Sequence, residues 1–385
     1  MMNKKILLYE ILQSTNTLEK VIKFKLYKEV MGDCKIFLFD EEASNVDASF
    51  KNFELGKCGI YGMGDYTKTW VIDASYPMDK RYIPYGKTVD FDLNVFSYLN
   101  RVMRGKNISQ GIKREDVIDY FNYIKDNGFQ FGIASAIIER AAKPIKPSIW
   151  IEMLMSFVRY EKIERIDIKY KKVHLNFFDF IRVADLYRIT YRQRKIQMRQ
   201  YDALCCLVMK AYLIKKYDKD VKKRVENLIY YSLRVLNCYF EKEIVLLSLF
   251  LMDDERTKET FKKLNKTSKL LENIMNIAWD IYHIRIIEEI MFNDNVNKQE
   301  KIILSYFATA DKGLADAMKI NPLKAFVIWD NFPIPIHSVT IEDVCSNENI
   351  MCEISEMAAI RKEKVEYTNY SQIRKQLQKE IEQLY

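Results

Sequence analysis

Glycine and proline are scarce in this chain of 385 residues and are missing from its middle. All eleven glycines lie at or before Gly132 or at Gly313, and no proline occurs between Pro147 and Pro322. These two residue types are the strongest breakers of regular structure. Apolar residues in this part of the chain recur at helical spacing, as in residues 204–212. The middle of the chain is therefore predicted to be a stack of antiparallel helices.

Cysteine and histidine form no metal-binding or catalytic pattern. Only three histidines exist and they lie far apart in the sequence, which leaves histidine-based catalysis with little support. The seven cysteines form no CxxC pair and have no histidine at ligand spacing, so zinc binding is not indicated. An odd number of cysteines without a secretory signal is typical of reduced thiols in a cytoplasm. The protein is therefore expected to be cytoplasmic.

Long apolar runs are also missing. The most hydrophobic run, residues 244–252, is too short to cross a bilayer and has charged residues on both sides. A glutamate interrupts the short apolar stretch at the N-terminus and no small-residue cleavage site follows it, so a signal peptide is not predicted. No membrane partner is expected. The content of 49% hydrophobic and 30% charged residues is that of a globular protein with a substantial core.

Four acidic residues are the most informative feature that is present. Asp92 follows a strand-like segment, and Glu139 falls in the first turns of a helix that we expect Ser135 to cap. Asp280 lies inside a long apolar helical stretch, and Asp311 follows an apolar strand. An open parallel sheet gathers side chains from strand ends and from neighbouring helices above its carboxyl edge. The four acids are therefore candidate catalytic residues and metal ligands.

Carboxylates gathered in this way repel one another. Mg²⁺ or Mn²⁺, hard ions that prefer oxygen ligands, would neutralise them and activate water for in-line attack on a phosphate. Asp90 lies on the same strand face as Asp92 and is an alternative or second ligand. Asn94, Thr309 and Lys312 stand next to the acids in sequence, and we expect them to orient ligands or to contact the scissile phosphate.

Together these residues resemble the active-site pattern of the PIN-like ribonucleases. Asp92-Leu93-Asn94 is similar to the Asp-x-Asn that follows the first strand in this family, and Thr309-Ala310-Asp311 is similar to its Thr-x-Asp after a later strand. Glu139 corresponds to the helical Glu by position and Asp280 to the helical Asp by order. The resemblance implies a metal-dependent endonuclease, a hydrolase acting on RNA in preference to DNA, of a toxin-like or phage-defence kind.

The same resemblance implies an α/β fold with a three-layer PIN-like core and a parallel sheet. The second and third acids are far apart in sequence, so a predominantly α-helical insertion has to lie between two segments of the core. Strand-like stretches also occur at residues 34–40 and 67–73. The expected organisation is a small mixed N-terminal region at 1–85, core segments at 86–145 and 270–345, the helical insertion at 146–269, and a helical tail at 346–385.

Each acid also has an ordinary structural explanation. Asp92 can cap the helix that follows its strand, and Asp311 can be a turn residue. Glu139 can be a solvated residue paired with a nearby base, and Asp280 can be a buried acid paired with a base on its own helix. The two interpretations differ in space, because only an active site requires all four carboxylates to surround one point.

A basic stretch supplies the second functional signal. The net charge is +8, and residues 182–199 contain six basic residues and one acid. On a helix, Arg188, Arg192, Lys195 and Arg199 share one face, and Arg194 lies beside them. Such a stripe can bind the phosphates of RNA while a neighbouring tyrosine stacks on bases. The alternative is a solvated helix face, or one that contacts acidic neighbours.

The C-terminal residues 370–385 are predicted to form a charged amphipathic helix with apolar side chains on one side. This side packs either on the protein itself or on a protein partner or inhibitor. Two rivals to the nuclease remain. One is a helical scaffold or nucleic-acid-binding subunit that performs no chemistry, and the other is a degenerate nuclease fold that binds RNA without cutting it.

Overall fold

The computed structural model describes most of the chain. The described residues are 4–39, 41–42, 44–46, 52–73, 83–108, 111–142, 146–167, 173–265, 269–296, 301–360 and 368–384, with the backbone alone for 4–5, 193–196 and 358–360.

Nine strands occur among these residues. They are β1 (Lys35–Leu38), β2 (Phe53–Leu55), β3 (Cys58–Gly62), β4 (Trp70–Asp73), β5 (Tyr85–Phe91), β6 (Gln130–Gly132), β7 (Ile302–Thr309), β8 (Leu323–Trp329) and β9 (Phe332–His337).

Sixteen α-helices occur in the same described ranges. The first eight are α1 (Lys4–Leu12), α2 (Thr17–Leu26), α3 (Lys28–Met31), α4 (Leu93–Met103), α5 (Arg114–Asp126), α6 (Ala134–Ala142), α7 (Pro147–Lys162) and α8 (Phe177–Tyr217). The others are α9 (Val221–Tyr230), α10 (Glu241–Leu251), α11 (Lys258–Phe261), α12 (Leu270–Val296), α13 (Lys312–Ile320), α14 (Ile341–Val344), α15 (Glu348–Ile360) and α16 (Tyr370–Glu382). Short 3₁₀ turns span Tyr66–Lys68, Glu255–Thr257 and Lys262–Asn265, and a π turn spans Tyr231–Val235.

The larger sheet has the strand order β2-β3-β7-β5-β6. Strands β7, β5 and β6 run parallel, with Val89 of β5 paired with Tyr306 of β7 on one side and with Phe131 of β6 on the other. β3 joins the far side of β7 in the antiparallel direction. All eight residues of β7 are buried, as expected of a central strand that is covered on both faces. The protein is thus a mixed α/β structure that contains parallel strand pairs.

The order of these strands opens a crevice at one edge of the sheet. The chain leaves β5 towards β6 on one side, and it returns much later to place β7 on the other side. Where connections depart in opposite directions, a cleft forms beyond the carboxyl ends of the two strands, which is the usual ligand site in open α/β sheets. In this protein the cleft lies where β5 and β7 end.

The smaller sheet has the order β4-β1-β8-β9 and is antiparallel throughout. The strands predicted within 34–40 and 67–73 are present as β1 and β4, while Asp40 lies outside the described residues. Strands from the first 85 residues enter both sheets, because β2 and β3 belong to the larger one. The N-terminal segment is therefore hydrogen-bonded directly to the strands of residues 302–329.

Every element described between residues 146 and 265 is helical, as the lack of glycine and proline predicted. The longest, α8, begins at Asn176, whose side chain accepts the N–H of Asp179 while the Asp179 carboxylate accepts the N–H of Asn176. This reciprocal capping fixes the start of the helix. The second half of α8 packs with α9, α10 and α12 in one apolar core.

The apolar side of the C-terminal helix is covered by the chain itself. Leu377 and Ile381 of α16 are buried in the same core as the second half of α8. Arg374 adds an ion pair to Asp202 of α8 at 2.5 Å. The protein partner or inhibitor predicted for this face would thus meet a face that is already occupied. Among the described helices, none combines the length and apolar character needed to cross a bilayer.

Candidate active site

A cavity of about 170 Å³ brings the four predicted acids together. Asp92, Glu139, Asp280 and Asp311 all line it. The other lining residues are Asn94, Lys263, Asn276, Trp279, His283 and Leu314. The cavity lies at the carboxyl edge of β5 and β7, since Asp92 directly follows β5 and Asp311 lies two residues after β7. Four acids from well separated parts of the sequence therefore surround a single space.

Asp92 caps a helix and faces the cavity at the same time. Its Oδ1 accepts the N–H of Val95 at 2.6 Å, which caps α4, and its Oδ2 accepts the hydroxyl of Thr309 at 2.6 Å. The capping role that the sequence offered as an alternative is therefore present. Because each carboxylate oxygen can accept two hydrogen bonds, these contacts leave acceptor capacity for a further ligand.

The environment makes the ionised form of Asp92 costly. Burial and, to a smaller extent, the nearby charge of Glu139 raise the pKa of the carboxyl to about 7, although the hydrogen bonds from Thr309 and Val95 act in the opposite direction. A carboxyl group whose pKa is raised by burial and by a second carboxylate is typical of functional sites. A cation in the cavity would stabilise its ionised form.

Thr309 connects two of the acids across the strand pair. Its hydroxyl donates to Asp92 and accepts the N–H of Asp311 at 2.9 Å. Asp311 in turn caps α13, because its Oδ1 accepts the N–H of Gly313 at 2.8 Å. One hydroxyl group thus holds Asp92 and the backbone of Asp311 in a fixed relation.

Gly313 marks the point where Asp280, Asp311 and Lys263 meet. A Cβ atom at Gly313 would lie 3.1 Å from Asp311 Oδ1, 3.7 Å from Asp280 Oδ2 and 3.9 Å from Lys263 Nζ. Carboxylates from α12 and from the start of α13 therefore approach each other around the space that a side chain at Gly313 would fill. The ammonium group of Lys263 is the positive charge beside them.

Glu139 and His283 form the opposite wall. Glu139 of α6 is buried, so it is not the solvated residue of the alternative interpretation. His283 Nε2 lies 3.6 Å from Glu139 Oε2. The imidazole ring also stacks on Trp279 with 5.4 Å between centroids. Asp280 lies on the same side of α12, one turn before His283, and Arg285, a base on the same helix, pairs with Glu243 instead.

Asp90 does not line the cavity; it supports the helix that carries Glu139. Its Oδ1 accepts the N–H of Ala134 at 2.7 Å and its Oδ2 accepts the N–H of Ser135 at 2.8 Å. These are the first N–H groups of α6, so the cap comes from the neighbouring strand and not from Ser135 as the sequence predicted. Burial raises the pKa of Asp90 to about 6 against these hydrogen bonds.

Of the two other residues that were predicted to contact the ligands or the phosphate, only one lines the cavity. Asn94 is exposed and lines it, whereas Lys312 is exposed at the start of α13 and is not a lining residue. Two lining residues that no sequence pattern indicated are Lys263, from the helical middle of the chain, and Asn276 of α12.

The predicted nucleic-acid stripe lies on α8. Arg188, Arg192 and Arg199 are exposed, and Arg188 pairs with Asp185 at 3.2 Å. The side chains of Arg194 and Lys195 lie outside the described residues. Further along α8, the ring of Tyr201 packs on Trp279 of the cavity wall with 4.3 Å between centroids. None of the three described arginines lines the cavity, and their contact with nucleic acid stays a prediction.

The donor set suits a hydrated divalent cation. In the described part of the chain, no three His, Cys, Asp or Glu side chains are gathered tightly enough to hold an ion directly between them. The carboxylates instead stand around a cavity of about 170 Å³, which is large enough to hold water molecules between them. Mg²⁺ keeps several waters and binds proteins through one or two carboxylates, so tight convergence is not required. Carboxylate and amide oxygens are ligands that Mg²⁺ and Mn²⁺ prefer.

Comparison of the chain with models of protein families, with curated proteins and with solved structures gives no match in any of the three. The case for a function therefore comes from the cavity and from the motifs that line it.

Proposed function

We propose that the protein is a divalent-metal-dependent endoribonuclease with a PIN-like core, and that the acidic cavity is its active site. The observation that carries the proposal is the arrival of Asp92, Glu139, Asp280 and Asp311 at one cavity from four separate parts of the chain. Asp92 and Asp311 also cap helices, but capping does not require Glu139 and Asp280 to face the same space, and gathering like charges without a cation costs stability.

The expected metal is Mg²⁺ or Mn²⁺, with the four carboxylates as its candidate ligands, directly or through water. When bound, it would supply Lewis acidity and a nucleophilic water at neutral pH. The chain itself orients the ligands. Thr309 fixes Asp92 with respect to Asp311, and Asp90 anchors the first turn of α6 below Glu139.

The substrate is a polyanion that the acids would repel, so basic groups are required close to them. Lys263 lies beside Asp280 and Asp311 and contacts the scissile phosphate, while Lys312 is exposed at the start of α13. Arg199 is exposed on α8 and is proposed as a further contact to the RNA backbone. The toxin-like or phage-defence role follows from the resemblance alone.

The test is cleavage of a mixed RNA pool by the purified protein with Mn²⁺, against EDTA and against the double variant Asp92→Asn, Asp311→Asn. A matched control replaces two exposed acids elsewhere, Asp119→Asn and Asp330→Asn. Cleavage that needs the metal, vanishes in the first variant and survives in the control supports the proposal. Intact RNA in every arm that contains metal contradicts it.

A second candidate is an RNA-binding site that performs no cleavage. The position of Lys263 favours it, because an ammonium group beside Asp280 and Asp311 partly neutralises these acids without a metal. In that case RNA binding, measured by filter retention or fluorescence anisotropy, is unchanged by EDTA and no product appears.

A further inference from the structure

The outward side of the first half of α8 is apolar and exposed. Phe177 and Phe178 are 73% and 76% exposed, and Tyr191 is 76% exposed. Phe180 and Ile181 are also exposed. Several large apolar side chains exposed together on one helix segment are a candidate interaction site.

The inner side of the same helix segment is held by the protein itself. Val183 is buried, and Thr190 is buried against Trp150 of α7, whose indole N–H donates to its hydroxyl at 3.2 Å. Asp179 pairs with Lys162 at the end of α7. The segment is therefore fixed on the body of the protein, and its outward face is preformed.

The outward side chains follow a heptad spacing. Phe177, Ile181, Ala184, Arg188 and Tyr191 are separated alternately by four and three residues, so they lie along one line of the helix. This is the spacing by which two helices pack side by side. All five are exposed, and the line runs opposite to the buried Val183 and Thr190.

The exposed area of this face is a substantial part of a protein interface. The aromatic side chains on the line or next to it (Phe177, Phe180 and Tyr191) together expose roughly 400 Å², because a fully buried aromatic side chain removes about 200 Å² from water. A stable interface buries about 800 Å² on each partner. These three side chains thus supply about half of the area that a dimer needs, and Ile181 adds to it.

We propose that this face binds the same face of a second copy of the chain, with the two α8 helices antiparallel. The face is self-complementary, as a two-fold contact requires. Centred between Ala184 and Arg188, the pair places the small Ala184 against the long Arg188 of the second copy. It also places Asp185 at the basic end of the opposite helix, near Arg188 and Arg192. In this arrangement Arg188 and Arg192 contact the second copy, and the proposed RNA contacts are those of the cavity and of Arg199.

The experiment is light scattering with size-exclusion chromatography on the full chain, over a concentration series. The variant Ile181→Glu, Tyr191→Glu places charge in the centre of the face. The matched control is Leu26→Glu, since Leu26 of α2 is 74% exposed on a different helix. Circular dichroism checks that all three proteins are folded.

We expect the wild-type protein and Leu26→Glu at twice the 45.9 kDa of one chain. The double variant is expected at one chain mass, with its dimer dissociation constant raised by about 100-fold or more, as for the loss of central interface residues. A folded wild type that stays monomeric at tens of micromolar, or a dimer that the double variant leaves intact, overturns the proposal. So does a monomer that loses RNA or vesicle binding in the double variant, because another occupant then uses the face.

Discussion

Asp92→Asn is expected to make the protein more stable while it removes the proposed activity. The amide keeps an oxygen for the Val95 N–H, and Asn is as good a helix cap as Asp. The substitution removes a buried carboxyl group whose pKa is near 7 instead of 3.8. A difference of about three pKa units corresponds to at most about 4 kcal/mol of native-state destabilisation above pH 7.

The sign of the pH dependence follows from linkage. The pKa of Asp92 is raised in the folded state, so the folded protein holds the proton more tightly than the unfolded chain does between pH 4 and pH 7. Stability contributed by this group is therefore present at low pH and is lost as the pH rises through that window. The advantage of the Asn variant should be largest near pH 8 and should vanish near pH 4.

The assay is urea unfolding in EDTA at pH 4, 6 and 8, with Asp119→Asn as the control for an exposed acid on α5. A variant less stable than the wild type at pH 8, or a difference that does not change with pH, would refute the reasoning. It would show that the hydrogen bonds from Val95 and Thr309 stabilise the ionised carboxylate enough to offset its burial. Added Mg²⁺ should raise the stability of the wild type and of the Asp119→Asn control more than that of Asp92→Asn, since a ligand stabilises only the state that binds it.

Three further predictions concern single side chains. Thr309→Val leaves the Asp92 carboxylate and the Asp311 N–H without the hydroxyl between them, which should lower the free energy of unfolding in urea by about 1–3 kcal/mol. Thr309→Ser keeps the hydroxyl and should lower it much less. An equal loss of stability in both variants would contradict this role of the hydroxyl. Lys263→Ala should lower the rate of RNA cleavage about tenfold or more. Lys262 is an exposed neighbour that pairs with Glu259, so Lys262→Ala should leave the rate unchanged. Equal effects of the two variants would show that the location of Lys263 at the cavity does not matter for cleavage. Burial alone would raise the pKa of Glu288, but Lys242 at 2.7 Å and His337 at 3.1 Å outweigh burial and lower the pKa to about 2. This carboxylate therefore contributes about 3 kcal/mol to the free energy of unfolding above pH 4.5, and the contribution is lost as the pH falls towards 2. Glu288→Gln should remove that acid-sensitive part of the unfolding free energy, and an unchanged acid transition would count against the ion pair.

The parts of the site that the sequence indicated are those with a local signal. Asp92 directly follows a strand-like segment and Asp311 lies two residues after an apolar one, so both acids can be recognised within a window of about ten residues. Asp280 could be predicted as a site residue because a charged side chain is unusual within an apolar helix. The helical middle of the chain could be predicted as well, since the lack of glycine and proline is a property of composition.

The parts that the sequence did not indicate depend on contacts between distant segments. Lys263 is one of 61 basic residues, and only the packing of its 3₁₀ turn near α13 distinguishes it from the rest. The cap of α6 comes from Asp90, 44 residues before Ala134, so no capping pattern marks the start of this helix. In the smaller sheet β1 pairs with β8 across most of the chain. No local preference encodes such a pairing.

Strands β5 and β7 are neighbours in the sheet but far apart in the sequence, so the ribosome makes them at very different times. The ribosome completes Asp92 and Glu139 early, but the cavity cannot close until Asp280, Thr309 and Asp311 have also emerged. At 5–20 residues per second, the delay between Glu139 and Asp311 is roughly ten to thirty seconds. An unfinished chain that stops before α12 therefore lacks two of the four acids and has no complete cavity. Under the proposed function, such a chain could not cut the messenger that encodes it, so the order of the segments would delay cleavage until β7 has been made.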